Sequence, residues 1–196
     1  MKIHQLKEHV CALSQSPNFI HHLWFVEHHL EIIEKIVAEL LEKYPEAQET
    51  VVRAMVWVHD WGKILTNKGP NEKKVTEEQI SLTLPSFGFT PEEISHIREV
   101  FKEMEDLTPR KDDFMIETKI ISSADALAHY VGPFFALYWY ENSNMSIPEL
   151  IANNLKKAEK DTRKIMLPEV ERAAKVRIKY LKEFSASHRP QKYLTF

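Results

Sequence analysis

The pair His59-Asp60 closes an apolar run, Ala54-Met55-Val56-Trp57-Val58, and is followed by Trp61-Gly62-Lys63. An aspartate entering from a hydrophobic segment is hard to explain by packing, because a buried carboxylate needs a partner or a metal. The adjoining imidazole suits a divalent ion of the Mn, Fe, Zn or Mg kind. Two further side chains could complete such a site. Projected by successive helical turns, the face of His29 reads Ile33, Ile36, Val37 and Leu40, whereas that of His28 reads Ile32, Lys35 and Glu39. His29 is therefore predicted to point inward, as a ligand or as an ordinary core histidine with a hydrogen-bond partner. Asp125 lies in Ser122-Ser123-Ala124-Asp125-Ala126-Leu127, where small residues let a helix approach its neighbours closely. A mid-helix aspartate has poor propensity and needs a reason. Ile121 and Ala128 place it on an inward face; the alternative is an aspartate facing solvent.

The elements that must position these groups read as helices. The chain has 196 residues, only 4 of them glycine, and its apolar residues recur with helical rather than strand spacing, which predicts an all-α fold. A short helix is expected over 1–16. Asn18 would cap a long helix running to about Tyr44, with Val26, Leu30, Ile33, Val37, Leu40 and Leu41 as its stripe and Pro45 behind it. The next helix would span Ala47 to Trp61, with Val51, Val52, Met55 and Val58 buried and Gly62 as terminator. Residues 64–74 read as an exposed loop. Thr76-Glu77-Glu78-Gln79 looks like a capping box opening a helix that ends near Pro85, and Thr90-Pro91-Glu92-Glu93 is a stronger box for a helix to about Met104. Thr108-Pro109 should break the chain. Further helices are expected over 113–131, Phe134 to Tyr140, from Ser146 to about Met166, and from Pro168 to Phe184. The tail from Ser185 would stay loose unless Tyr193, Leu194 and Phe196 dock.

Bulk properties narrow the class. The chain is 43% hydrophobic and 28% charged, with net charge -3, so no basic field favours nucleic acid. The single cysteine, Cys11, excludes an internal disulfide and fits a reducing compartment. No apolar run nears the roughly 18 residues that span a bilayer, and the N-terminus lacks a signal-peptide core. The expectation is a cytoplasmic protein of one domain: a core at about 17–140, a helical extension at about 141–184, and a tail at 185–196.

Taken in order, His29, His59-Asp60 and Asp125 fall on three helices, and at this point the chain resembles the HD-domain metal-dependent phosphohydrolases. His29-x3-Ile33-x3-Val37-x2-Leu40-Leu41 is similar to that family's first helix. Ala54 to Lys63 is similar to its apolar run followed by HD-x-G-K, and Ile120-Ile-Ser-Ser-Ala-Asp125-Ala-Leu127 to its final ligand helix. The likeness covers residues 20–135. It implies an HD-type helical bundle, carrying additional C-terminal helices here, and His29, His59, Asp60 and Asp125 as ligands of one divalent ion, Mn, Fe, Mg, Co or Ni. It also implies hydrolysis of a small phosphomonoester or nucleotide by a metal-activated water. Two imidazoles and two carboxylates leave positions open on a six-coordinate ion, as a catalytic site requires. Asp60 would both bind the ion and orient the water.

The chain departs from several branches of the family. No histidine stands near Lys74-Val75 or Met104-Glu105, where multi-metal members would place one, and His96 comes about two turns too early. A mononuclear site is expected. The GYP segment of the cyclic-dinucleotide phosphodiesterases is absent. Lys63 stands where the nucleoside 5'-monophosphatases place a glutamate, and the acidic residues of the alarmone hydrolases are missing.

Other residues carry two readings each. Lys63 could neutralise a phosphoryl oxygen or serve a helix C-terminus. His129, four residues after Asp125, could contact substrate, donate a proton or play a structural part. Lys156, Lys157, Lys160, Arg163 and Lys164 form a basic face that is solvated or, if the C-terminal helices cover the site, offers Lys157 or Lys160 to a phosphate. Phe134, Phe135, Tyr138, Trp139 and Tyr140 would stack a base or, preferentially, pack in the core. The rival to the enzyme is a non-catalytic metal- or nucleotide-binding or interaction module with the same fold. A nucleic-acid binder using the 156–164 face is disfavoured by the acidic net charge. Oligomeric state stays open.

Overall fold

The computed structural model describes residues 1–106 and 113–185, which form a helical bundle without strands among those residues. Ten α-helices follow in order: α1 (Lys2–Ser14), α2 (Glu31–Lys43), α3 (Glu49–Val58), α4 (Trp61–Thr66), α5 (Glu72–Thr83), α6 (Pro91–Glu105), α7 (Ile116–Val131), α8 (Phe134–Glu141), α9 (Ile147–Lys164) and α10 (Pro168–Phe184). The expected break at Thr108-Pro109 and the docking of Tyr193, Leu194 and Phe196 lie outside the described residues.

α3 and α7 are the centre of the bundle. Ala54 to Val58 are all buried, so α3 is covered all round and not only on the face of Val51, Val52, Met55 and Val58. Each such side chain contributes roughly 2 kcal/mol by leaving water. α7 is buried from Glu117 to His129 except at Lys119, and α2, α3, α6, α9 and α10 all pack against it. A helix so enclosed can hold an aspartate away from bulk water. Among the described residues no single helix is long and apolar enough to cross a membrane; α7 and α8 together have the length but meet at a 70° bend.

The structure corrects three local expectations. Asn18 does not open one long helix: turns occupy the chain to Trp24, a π-helical turn spans Val26–Leu30, and α2 starts only at Glu31. Buried Phe19 and Phe25, whose rings meet edge to face at 5.1 Å, fold this segment onto itself. Gly62 does not terminate a helix. The chain breaks at His59 and Asp60, and Gly62 lies inside α4, where an added Cβ would sit 1.9 Å from the Glu72 carbonyl oxygen. It is a close-approach glycine that lets α4 lie against α5. Thr76 is not a cap either. α5 begins at Glu72, and the buried Thr76 hydroxyl accepts from Gly62 N at 2.8 Å while donating to Glu72 O at 3.0 Å. The supposed loop 64–74 thus narrows to the few residues between α4 and α5, where Asn67 (φ 50°) and Lys68 (φ 63°) are left-handed.

Other boundaries agree with the sequence. Thr90 and Glu93 cap α6 reciprocally, with Thr90 N donating to Glu93 at 2.9 Å and Glu93 N to the Thr90 hydroxyl at 3.3 Å. Glu149 accepts from Ser146 N at 2.9 Å at the start of α9, and α10 opens on Pro168. The C-terminal helices are tied to α7 by polar contacts. Ser122 donates to Lys164 O at 3.1 Å, Met166 N to Ser123 Oγ at 2.9 Å, and Tyr130 to Ala158 O at 2.7 Å.

Candidate metal centre

The π-helical turn sets His29 with Ile33 and Val37 in the core, 2% exposed, while His28 stays half-buried as its projected face requires. π-turns are rare and cluster at functional sites. The break after α3 turns His59 and Asp60 toward the same point, and the mid-helix position of Asp125 on α7 meets them there.

His29 Nε2 lies 3.7 Å from Asp60 Oδ2 and 3.5 Å from Asp125 Oδ1. His59 Nε2 lies 3.5 Å from Asp60 Oδ2 and 3.8 Å from Asp125 Oδ1. All four groups suggested by the sequence are therefore brought together. His29, His59 and Asp60 offer donor atoms within 4.8 Å of one another, and so do His29, Asp125 and His129. These buried groups could hold a metal ion.

The protonation chemistry of His59 fits one. Its Nδ1 sits 3.1 Å from Val56 O and 3.2 Å from Met55 O, both acceptors, so Nδ1 carries the ring proton. Nε2 is then a bare lone pair, buried without a hydrogen-bond partner and facing two carboxylates. Lone pairs converging on one point repel unless a cation lies between them, and main-chain support of the outer nitrogen is the usual setting of a metal-binding imidazole. Burial lowers the His29 pKa to about 3, so the His29 ring is neutral.

Each carboxylate has its own lysine. Lys63, one turn along α4, bonds Asp60 Oδ2, and Lys164 from α9 donates to Asp125 Oδ2 at 2.9 Å, leaving Oδ1 toward the imidazoles. Burial opposes charge on both aspartates, but Lys63 beside Asp60 and Lys164 beside Asp125 overcome it and hold both carboxyls well below the usual range. Asp125 in turn pushes the Lys164 pKa up.

The centre forms the floor of an open pocket of about 790 Å³. Trp24, Phe25, Phe134 and Tyr138 form an aromatic wall; Lys63, Lys68, Lys73, Lys156, Lys157, Lys160, Arg163 and Lys164 supply cations, and Glu72, Glu105 and Glu159 supply anions. Lys157 and Lys160 thus both reach the pocket, Lys157 with its Nζ 2.5 Å from Asp161 Oδ1. His129 is buried beside the centre, its Nε2 3.9 Å from Asp125 Oδ1 and its ring stacked on His29 at 4.8 Å. Burial first, and Lys157 next, lower its pKa.

The aromatic segment does not pack in the core as expected. No residue of α8 is buried: Phe134 meets His129 at 4.2 Å, and Phe134 and Tyr138 line the pocket. α8 lies along the rim, half-buried: Phe134 and Leu137 rest on the edge of the core, and Trp139 meets Phe184 of α10 at 5.8 Å. His96 is remote from the centre, 3.7 Å from Glu117 and outside the pocket lining.

The sequence reading missed Asp161, which is fully buried, and the rim residues Lys68 and Lys73. A signal for Asp161 existed: it continues the stripe of Leu150, Asn154 and Ala158 that α9 buries. It also missed the trio of buried His21 and Trp24 with half-buried Glu141, in which Glu141 accepts from Trp24 Nε1 at 2.6 Å and lies 2.7 Å from His21 Nδ1, pinning the end of α8 to the pocket edge. No protein-family model, curated protein or solved structure matches the chain.

Proposed function

We propose that this chain is an HD-type metal-dependent phosphohydrolase acting on a small phosphomonoester or nucleotide. The observation that carries the reading is the meeting of His29, His59, Asp60 and Asp125, drawn from separate helices, at the floor of an open pocket ringed by lysines. A plugged or uncharged site would instead favour a binding module.

The donor set of two imidazoles and two carboxylates, without sulfur, suits Mn, Fe, Mg, Co or Ni. Such an ion supplies Lewis-acid polarisation of a phosphoryl oxygen and a water made acidic enough to act near neutral pH. The protein's own groups do the rest. His59 and Asp125 are oriented by their outer partners, Val56 O and Lys164. Asp60 lies 17% exposed at the pocket floor and can accept a proton from an attacking water. Lys63 and, from α9, Lys160 neutralise charge on the phosphoryl oxygens, and the aromatic wall lines the other side.

Metal analysis of protein purified without a metal-affinity tag should find about one equivalent of a divalent ion of this set. A panel of phosphomonoesters and phosphodiesters with added Mn2+, Mg2+, Co2+ or Ni2+ should then give turnover that His59→Ala and Asp125→Ala abolish. Wild-type rates in either variant would exclude this mechanism.

A further inference from the structure

α9 turns Lys157, Asp161 and Lys164 toward the centre, and Lys164 serves Asp125. The other two meet His129. Lys157 Nζ lies 3.2 Å from His129 Nδ1 and 2.5 Å from Asp161 Oδ1, and Asp161 Oδ2 lies 3.2 Å from the same ring nitrogen. The ring is held flat against His29, with planes 19° apart, and edge-on to Phe134. Its far nitrogen, Nε2, faces the centre.

Which group bonds Nδ1 decides what Nε2 presents. Lys157 meets hydrogen-bond geometry with Nδ1, whereas Asp161 Oδ2 is buried with no hydrogen bond. A lysine ammonium has only protons to give. Nδ1 must then offer its lone pair, and the ring proton sits on Nε2. His59 is set the opposite way: acceptors on its outer side put the proton outside and the lone pair inside. An outer acceptor makes an inward ligand; an outer donor makes an inward N–H.

We propose that Lys157, itself held by Asp161, is a positioning residue that locks His129 as the Nε2–H tautomer, so that His129 donates a hydrogen bond to an oxygen of the bound substrate and does not ligate the metal. The role toward substrate rests on the phosphohydrolase reading; the tautomer does not. Asp161 orients Lys157, and Lys157 orients the ring. His129 is the group that touches substrate. His59 and His129, which both face the centre, thus do different work by virtue of what stands behind them.

Long-range 1H–15N correlation spectra of the full-length, metal-free protein should show a protonated Nε2 and bare Nδ1 for His129, and the reverse for His59. In Lys157→Met the His129 proton should move to Nδ1, toward Asp161, and Lys157→Arg should restore Nε2–H. With Mn2+ titrated in, His129→Ala should change metal affinity by less than about threefold, against the tenfold or more expected for loss of a ligand. On the substrate found active, Lys157→Met should lower kcat about 10- to 100-fold with KM nearly unchanged. A protonated Nδ1 in the wild type, an unmoved proton in Lys157→Met, or a large loss of Mn2+ affinity in His129→Ala overturns the proposal. Spectra and titration need no substrate, so absence of turnover on every phosphate ester would remove the hydrolase reading while the tautomer is still decided.

Discussion

Asp60 and Asp125 face the same two imidazoles but are held in opposite ways. Asp60 stands at the break between α3 and α4, 17% exposed, and its cation is Lys63, three residues along. Asp125 lies inside α7, 5% exposed, and its cation, Lys164, comes from 39 residues away on α9. The first clamp is local, formed by the break after α3 and the first turn of α4. The second forms only when the C-terminal helices dock. The difference teaches that those helices are tied to the candidate centre: they set the charge and orientation of Asp125 and contribute Lys157 and Asp161 to His129.

The largest effect should come from removing the ligands themselves. Asp125→Ala and Asp60→Ala should each lose the metal and on the order of a thousandfold or more in turnover. Stability should separate them. Asp125→Ala strands Lys164 against a buried face and should cost about 3 kcal/mol. Asp60→Ala leaves a partly solvated Lys63 and should cost about 1 kcal/mol or less. Equal shifts in urea denaturation of the metal-free variants would erase the contrast.

The pH dependence sharpens it. Burial holds His29 at about 3, well below the ordinary histidine, so the unfolded chain takes up a proton that the folded chain refuses. His29 therefore contributes fully above about pH 6.5, and its contribution falls by about 1.4 kcal/mol per unit as pH drops toward 3. Burial lowers His21 and His129 as well, adding in the same direction. The stabilisation of the depressed Asp60 and Asp125 carboxyls is present above about pH 4 and lost only below it. Urea denaturation of metal-free protein from pH 7.5 to 4 should thus show a slope that His29→Gln flattens. A flat wild-type profile would contradict the burial of neutral imidazoles.

Gly62→Ala tests the local clamp from behind. Its Cβ would meet backbone of α5, which cannot yield as a flexible side chain can, so α4 must shift. About 2 kcal/mol of stability and weaker metal binding through Asp60 are expected. Thr90→Ala, at the reciprocal cap of α6, should cost about 1 kcal/mol and leave metal affinity untouched. A shift in metal affinity there would mean that the centre responds to general destabilisation.

Much of this was legible in the chain. Periodicity separated His29 from its neighbour His28, because a one-residue step rotates a side chain by about 100° around a helix. The strong box at Thr90 and the proline at the start of α10 worked because capping is local chemistry. Where the reading failed, a distant contact had overruled the local signal. Gly62 looks like a terminator until α5 lies against it, and Thr76 looks like a cap until its hydroxyl is spent on Gly62 N. The aromatic run of α8 looks like core, yet hydrophobicity alone does not say whether a helix is enclosed or lies at a rim.

The sequence by itself determined the all-helical class, the inward turn of His29 and Asp125, and the capacity of the donor pair His59-Asp60 to hold a metal, since each follows from side-chain chemistry and local spacing. Only the tertiary structure decided that Lys164 meets Asp125, that Asp161 and Lys157 stand behind His129, and that Phe134 and Tyr138 face a cavity. Periodicity fixes which side of a helix is buried. How far each helix slides and turns against its neighbours is set by the packing of all of them at once, and that alone chooses which charge meets which.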